Sequence, residues 1–393
     1  MKIIFFAHPH FLGHQSMPRY ASMLAEGMKK RGHNVQLWMP RPIFYRIPFP
    51  EKIKKWMSYI DQYIFFPIYI RSRLRKEAQD TLFVFTDHAL GPWVNLVANR
   101  PHVIHCHDFL AQLSALGEIQ ENKTSWTGRQ YQNFIRQGYR KGKYFISVSQ
   151  KTKKDLHRFL LFSPKISEVV YNGLNYKYTP DDPVAARNLL GQRIGINLSS
   201  GFLLHVGGNE WYKNKAGVIE IYNAWCSNEG QQIPLLLVGN MPDSKIANEY
   251  EKSPFKSEIH FLKGLNNEDL SYAYIGASLL LFPSLDEGFG WPIAEAMASG
   301  CPVITTDHAP MTEVGGNAAL YISRRPNNAS YVSAWANEGA KAINKVLSIS
   351  PNQLKYVMEV GLLNTKRFAT DLFLDKIESI YKMVLSQENT KVN

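Results

Sequence analysis

Two glutamates eight positions apart, Glu287 and Glu295, bracket the most informative stretch of the chain, PSLDEGFGWPIAEAMASGCPVITT from Pro283 to Thr306. An apolar run ends at Pro283, a loop carries Glu287, and Gly288 and Gly290 free the backbone to approach a ligand closely. Pro292 suits the first turn of a helix. The amides of Phe289, Gly290 and Trp291 at that helix start can point at phosphate or sugar oxygens, aided by the positive end of the helix dipole. The two carboxylates can accept hydrogen bonds from sugar and ribose hydroxyls. An extended ligand bearing both an anion and hydroxyls fits this pattern. Spacing alone leaves a plainer reading open, in which Glu295 complements the dipole and Glu287 is a solvated loop residue.

A second cluster lies in VGGNEWYKNKAG, where Lys213 and Lys215 follow an apolar strand. Two ammonium groups there can neutralise an anion such as a phosphate. The alternative is a solvated, basic helix start. His107, in VIHCHDFL, stands at the end of another apolar run. A strand-end histidine is often structural, and His105 is read that way. No GxxxxGK[ST] loop, HExxH or GxSxG elbow occurs, which removes support from ATPase and hydrolase readings. The chain also has no DxD run, the usual carboxylate bridge to a metal-bound diphosphate, so no metal or other cofactor is expected.

The segment EGFGWPIAE resembles the E-x7-E motif of family 4 retaining glycosyltransferases of the GT-B fold, the group 1 glycosyl transferases. The resemblance extends to IHFLKGLNNEDLSYAYIGASLLLFPS upstream, to FISVSQKTKKDL and VVYNGLN, and to the opening FFAHPHFLGHQSMPRYASMLAEGMKKRGHNV. It implies that Glu287 contacts donor sugar hydroxyls, that Glu295 binds the ribose, and that amides at Gly288, Phe289, Gly290 and Trp291 hold sugar or diphosphate. Leu262 and Lys263 would lie beside the base, and Gly13 and His14 would approach the phosphates from the other domain. His107 matches the family histidine near the reacting sugar. Lys213 falls where the family places a lysine, whereas Asn209 or Tyr212 occupies the place of its arginine, leaving Lys215 to supply a second charge.

The elements that must position these groups follow from periodicity. With 393 residues, 45% of them apolar, the chain has enough material for two cores. Short apolar runs at 2–7, 35–39, 82–85, 102–105, 144–148 and 168–171 alternate with helix-capable stretches, and the alternation restarts at 202–206, 235–238, 259–261, 279–282, 302–305 and 319–322. This order predicts an α/β protein with two doubly wound parallel sheets, and the resemblance implies that they face each other across a cleft in the GT-B manner. The expected division is 1–178 for an acceptor-side domain, 179–365 for a nucleotide-sugar domain, and 366–393 for a helix returning to the first. That last helix pairs Phe373, Ile377, Ile380, Tyr381 and Val384 on one face, which must pack on something.

Lysine plus arginine exceed aspartate plus glutamate by twelve, which draws phosphates, acidic lipid or nucleic acid. The segment 41–76 is crowded with aromatic and basic residues and reads either as a buried helix with basic flanks or as a surface for an acidic membrane or a lipid-linked acceptor. Asp61 and Pro67 interrupt a clean amphipathic face there. The opening run is too short for a signal peptide, no stretch is long enough to span a bilayer, and the three cysteines show no disulfide or zinc spacing. A cytoplasmic enzyme, peripheral at most to the inner membrane face, is the expectation. Its partners would be a nucleotide-sugar donor and a glycan or lipid-linked acceptor in surface polysaccharide assembly. Rival readings are a polymer-forming synthase or a phosphorylase of the same fold, and a non-catalytic protein that binds nucleotide-sugar or nucleic acid.

Overall fold

A computed structural model describes residues 1–13, 16–230 and 232–389. Contacts divide the chain into one unit of Met1–Asn175 with Thr370–Asn393, and another of Tyr176–Ala369. The sequence boundaries stand at 178/179 and 365/366, and the contact boundaries at 175/176 and 369/370.

The first unit is built on six parallel strands, β1 (Lys2–Phe6), β2 (Asn34–Trp38), β3 (Leu82–Phe85), β4 (His102–Cys106), β5 (Tyr144–Ser147) and β6 (Ile166–Val169), in the order β2-β1-β3-β4-β5-β6. Strands β1, β3, β4 and β5 are buried almost throughout because both faces are covered, as a parallel sheet requires. Phe6 stacks on Phe85 at 4.7 Å, and Trp93 donates its indole N–H to the Gln62 carbonyl at 2.9 Å, so even the polar edge of that large ring is satisfied.

The helix Thr370–Asn389 belongs to this unit, and its predicted apolar face is buried. Phe373, Ile377 and Val384 are at most 2% exposed, and full burial of each contributes roughly 1.5–3 kcal/mol. Tyr381 Oη lies 2.8 Å from His105 Nε2, while Tyr20 Oη lies 2.8 Å from Nδ1 of the same ring. Burial pushes His105 down to about 3, so this imidazole is neutral and structural, tying the last helix to β4 and to the first helix, Ser16–Lys30.

The second unit repeats the architecture with β7 (Leu203–Gly207), β8 (Leu235–Gly239), β9 (Ile259–Leu262), β10 (Leu279–Phe282), β11 (Val303–Thr306) and β12 (Ala319–Ile322), in the order β12-β11-β10-β7-β8-β9. Its core gathers Tyr222, Trp225, Trp335 and Ile343 against the apolar strands. Asp182, Asp243 and Asn266 cap three helices of this unit through their side-chain oxygens, which accept backbone N–H groups that would otherwise be orphaned.

The 41–76 segment differs from the buried-helix reading. It folds as a helix Glu51–Ile60, one wide turn Asp61–Phe65 and a helix Phe66–Leu74, with Phe66 and Ile70 buried. Ile43, Ile47, Phe49, Ile53, Trp56, Ile64, Phe65, Ile68 and Tyr69 remain exposed. Asp61 does not interrupt the pattern as a surface charge. It is buried, and its carboxylate accepts the backbone N–H groups of Ile43, Phe44 and Tyr45 at 3.0–3.1 Å, fastening the preceding loop. Pro67 sits in the first turn of its helix, where a missing N–H costs little.

Candidate functional site

In a doubly wound sheet, ligands bind beyond the carboxyl ends of the strands where the strand order reverses. In the second unit that point lies between β7 and β10, which are hydrogen-bonded neighbours although β8 follows β7 in the chain. The loop leaving β7 carries Lys213 and Lys215, and the loop leaving β10 carries Glu287. The topology therefore brings together residues 74 positions apart, and Lys213 Nζ donates to both oxygens of Glu287 at 2.8 and 3.0 Å.

The pair is built, not incidental. Glu287 is 5% exposed, and Ser284 Oγ donates to Oε1 at 3.0 Å. Burial raises the carboxyl above its ordinary range, against the pull of Lys213 and Ser284. The Lys213 ammonium also lies over the rings of Tyr212 and Phe282, at 5.3 and 5.4 Å from their centroids.

Lys215 is 2% exposed and opens the helix Lys215–Glu229 after Asn214, a residue in the left-handed region at φ 54°. Its ammonium donates to Asn209 Oδ1 and to the Asn240 carbonyl at 3.1 and 3.2 Å. Burial pushes it down to about 8, against Glu210 and Asp243. Asn209, in the region of the family's arginine, thus positions the second lysine instead of supplying a charge. Gly239 lets the two strand ends converge beneath it: a Cβ there would stand 1.9 Å from the Gly207 carbonyl oxygen, at φ +139°.

The turn after β10 has the expected form. Gly290, at φ 102°, caps the helix Trp291–Ala298, with Pro292 in the first turn. Phe289 is buried and meets Phe368 edge-on at 5.4 Å, which holds the turn from behind. Gly288 and Trp291 are partly exposed. Glu295 is 5% exposed and accepts a hydrogen bond from the buried Tyr274 hydroxyl at 2.8 Å. Leu262 ends β9, the outermost strand on that side, and Lys263 follows as an exposed residue.

The remaining sequence candidates belong to the first unit. His107 follows β4, is buried, and meets the Thr86 carbonyl through Nε2 at 2.9 Å, with Tyr20 edge-on at 4.5 Å. Burial lowers its pKa, so the ring is neutral, Nε2 is the donor to the carbonyl, and Nδ1 is left as an acceptor. Gly13, at φ 74°, closes the single turn His10–Leu12 and is exposed. His14 lies outside the described residues.

Sequence reasoning missed Ser284, Tyr274, and a group in the first unit, His8, Asp87 and His88. His8 Nε2 lies 2.9 Å from Asp87 Oδ2, and His88 Nδ1 lies 3.0 Å from Asp87 Oδ1. The signal that could have found them is topological: β1 and β3 flank the reversal of strand order in that sheet, and His8 and Asp87 leave their ends.

Residues 17–178 match the family described as Glycosyltransferase Family 4, and residues 187–357 match Glycosyl transferases group 1. O-antigen chain mannosyltransferase B of Escherichia coli is 30% identical over 196 residues, 49% of this chain and 50% of that protein. Lipopolysaccharide glucosyltransferase WaaG of Escherichia coli strain K12 is 28% identical over 182 residues, 45% of this chain and 48% of that protein. These matches thus span about half the length of the curated relatives. Among solved structures, sucrose-phosphate synthase from Thermosynechococcus elongatus aligns with a TM-score of 0.74 at 15% identity, over 98% of this chain and 100% of that one. Anabaena HepE, solved with UDP and glucose, aligns at 0.68 and 16% identity over 96% and 98%. Two parallel sheets of this topology, each matched by its own half of the family, place the chain among the family 4 glycosyltransferases of the GT-B fold.

Proposed function

We propose that the chain is a retaining, metal-independent hexosyltransferase that moves sugar from a nucleotide-diphosphate donor to a glycan or glycolipid acceptor of surface polysaccharide assembly. The observation that carries this reading is the buried Lys213–Glu287 pair at the β7/β10 reversal, beside a glycine-opened helix start. In the proposed reaction the diphosphate engages Lys213, Lys215 and the amides of Phe289 and Gly290, while Glu287 takes sugar hydroxyls and Glu295 the ribose. The bond from the anomeric carbon to the phosphate oxygen breaks, and its electron pair leaves with the diphosphate. The acceptor hydroxyl oxygen bonds to that carbon on the same face, and its proton passes to the departing phosphate. Mannosyl and glucosyl transfer in the names of the relatives, and UDP with glucose in that of a structural neighbour, support a hexose on a nucleoside diphosphate.

The 41–76 segment supports a lipid-linked acceptor met at the cytoplasmic membrane face. A cavity of about 410 Å³ is lined by Leu37, Trp38, Phe66 and Ile70 together with Arg41 and Arg73. The Arg73 guanidinium stacks 4.5 Å from Trp38, and among the described residues no carboxylate pairs with either arginine. No described helix is long and apolar enough to cross a membrane, so contact of this kind would be peripheral, through exposed aromatics and cations.

The test is incubation of the purified chain with UDP-, GDP-, dTDP- and ADP-hexoses in EDTA, following released diphosphate and, by NMR, the anomeric configuration of the product. One donor is expected to be consumed, with configuration kept. Inverted product would overturn retention, and no diphosphate release across the panel would overturn transfer. For the membrane surface, cosedimentation with phosphatidylglycerol vesicles but not with phosphatidylcholine vesicles is expected, and equal sedimentation with both, or with neither, would remove the proposal.

A further inference from the structure

Asn214 stands between the two lysines of the β7 loop and does not do what an asparagine at a helix start ordinarily does. It ends the turn Trp211–Lys213 and opens the helix Lys215–Glu229, in the left-handed region at φ 54° and ψ 39°. Among the described residues it is the one residue other than glycine with positive φ. At a helix start the side-chain oxygen ordinarily accepts a backbone N–H of the first turn, and Asn214 makes no such bond. Its amide turns instead to another loop: the buried Nδ2 donates to the Pro283 carbonyl, beyond the end of β10, at 2.9 Å.

Gly217, one turn on, makes the room for this. A Cβ there would stand 2.4 Å from Nδ2 and 2.5 Å from Oδ1 of Asn214, too close for the amide to keep its place. The receiving loop is held at four successive carbonyls. Phe282 accepts from Thr305 Oγ1 at 2.8 Å, Pro283 from Asn214, Ser284 from Thr306 Oγ1 at 2.7 Å and Leu285 from Arg324 Nε at 3.1 Å. Thr305 and Thr306 belong to β11 and Arg324 follows β12, so of the four side chains Asn214 alone comes from the lysine turn. The backbone adds one tie in the same direction, Leu285 N–H to the Tyr212 carbonyl at 2.7 Å.

Lys213 reaches Glu287 from one side of Asn214, and Lys215 is buried on the other. Because the lysines flank it directly in the chain, a change of its φ or ψ moves one ammonium relative to the other. We propose that Asn214 is a positioning residue of the transfer reaction: its amide clamps the lysine turn to the Pro283 carbonyl and so sets Lys213, Lys215 and Glu287 in register. The ligand for which they are set, a nucleoside diphosphate, comes from the function proposed above; the clamp itself does not depend on that reading.

The Lys215 ammonium reports the clamp without any ligand. Burial pushes it down to about 8 against the pull of Glu210 and Asp243, and both it and Lys213 act on the buried, neutral His205. Loss of the clamp lets water reach the ammonium, so its pKa rises toward the ordinary lysine value of about 10.4.

The experiment is an NMR pH titration of the chain carrying isotope-labelled lysine, with Lys215 assigned through Lys215→Met, on wild type, Asn214→Gly, Gly217→Ala and Thr306→Val. Asn214→Gly keeps the left-handed turn and removes the amide. Gly217→Ala displaces the amide without touching Asn214, although alanine suits a helix better than glycine. Thr306→Val removes the neighbouring tie and leaves the lysine turn alone. The Lys215 midpoint is expected to rise by about one pH unit or more in the first two variants and to hold its wild-type value in the third. UDP or GDP, whichever wild type binds in calorimetry, should bind Asn214→Gly and Gly217→Ala about tenfold more weakly, with urea titration showing each variant folded. An unmoved midpoint in both of these, an equal rise in Thr306→Val, or undiminished nucleotide binding by a folded Asn214→Gly would overturn the proposal. Absence of nucleotide binding by wild type would instead overturn the donor reading, and the Lys215 midpoints would still decide the clamp.

Discussion

The two strand-order reversals are built alike and differ in how they hold charge. At β7/β10 a full cation, Lys213, is shared by both oxygens of a buried carboxylate, and a second lysine is buried nearby. At β1/β3 the carboxylate of Asp87 lies beside two imidazoles, those of His8 and His88, at 2.9 and 3.0 Å. Identical topology therefore supplies a place, and the residue types leaving the strands decide what the place can hold. The first sets ammonium groups beside a carboxylate, the second imidazoles beside one.

The comparison breaks most readily at Glu287. Replacing it by alanine removes the sugar-hydroxyl acceptor and leaves Lys213 without its buried counter-charge, so donor turnover should fall about 10²–10³-fold. Steady-state assays measure this, and an unaltered rate would leave the β7/β10 site without chemistry.

Lys215 sharpens the contrast through pH. Burial pushes it down to about 8, so it is charged below that pH and loses its proton above it. Donor KM should therefore rise as pH passes through about 8, by up to roughly tenfold if one phosphate contact worth about 1.4 kcal/mol is lost. In Lys215→Met the donor KM should be high throughout and this step absent.

Gly239→Ala tests whether convergence of the strand ends is what seats Lys215. The added methyl would meet the Gly207 carbonyl oxygen, and the backbone is already at positive φ, so unfolding free energy should drop by about 1–3 kcal/mol. Urea titration reads this directly. A smaller effect is expected at Asp61→Asn. The neutral amide can still accept from the 43–45 loop but more weakly, costing about 1 kcal/mol. Amide hydrogen exchange should quicken at Ile43, Phe44 and Tyr45 and nowhere in the second unit.

Much of this is legible in the amino-acid sequence. Strands such as β3, β8 and β10 announce themselves because parallel sheets bury both faces and so write short continuous apolar runs. The β10 loop was legible because its chemistry is local: Glu287, the glycines and Pro292 fall within six residues. The first-unit pair was not, because His8 and Asp87 are 79 positions apart and nothing in either neighbourhood marks them. Only the strand order makes them neighbours. The pairing of Lys213 with Glu287 was likewise hidden, since sequence gave each a separate ligand contact and could not show that each is the other's partner until a ligand intervenes. Asp61 misled for a related reason: a charge inside an amphipathic pattern reads as a flaw, whereas here it is consumed by three backbone amides.

The central claim is that the β7/β10 reversal binds a nucleoside diphosphate through a lysine that Glu287 holds in readiness. Calorimetric titration of UDP and GDP into wild type, Lys213→Met and Glu287→Gln addresses it directly. One nucleotide should bind wild type, bind Lys213→Met at least tenfold more weakly, and bind Glu287→Gln as well as or better than wild type, because the ammonium no longer has a competing carboxylate. Equal affinity in wild type and Lys213→Met, or loss of binding in a folded Glu287→Gln, would contradict the account.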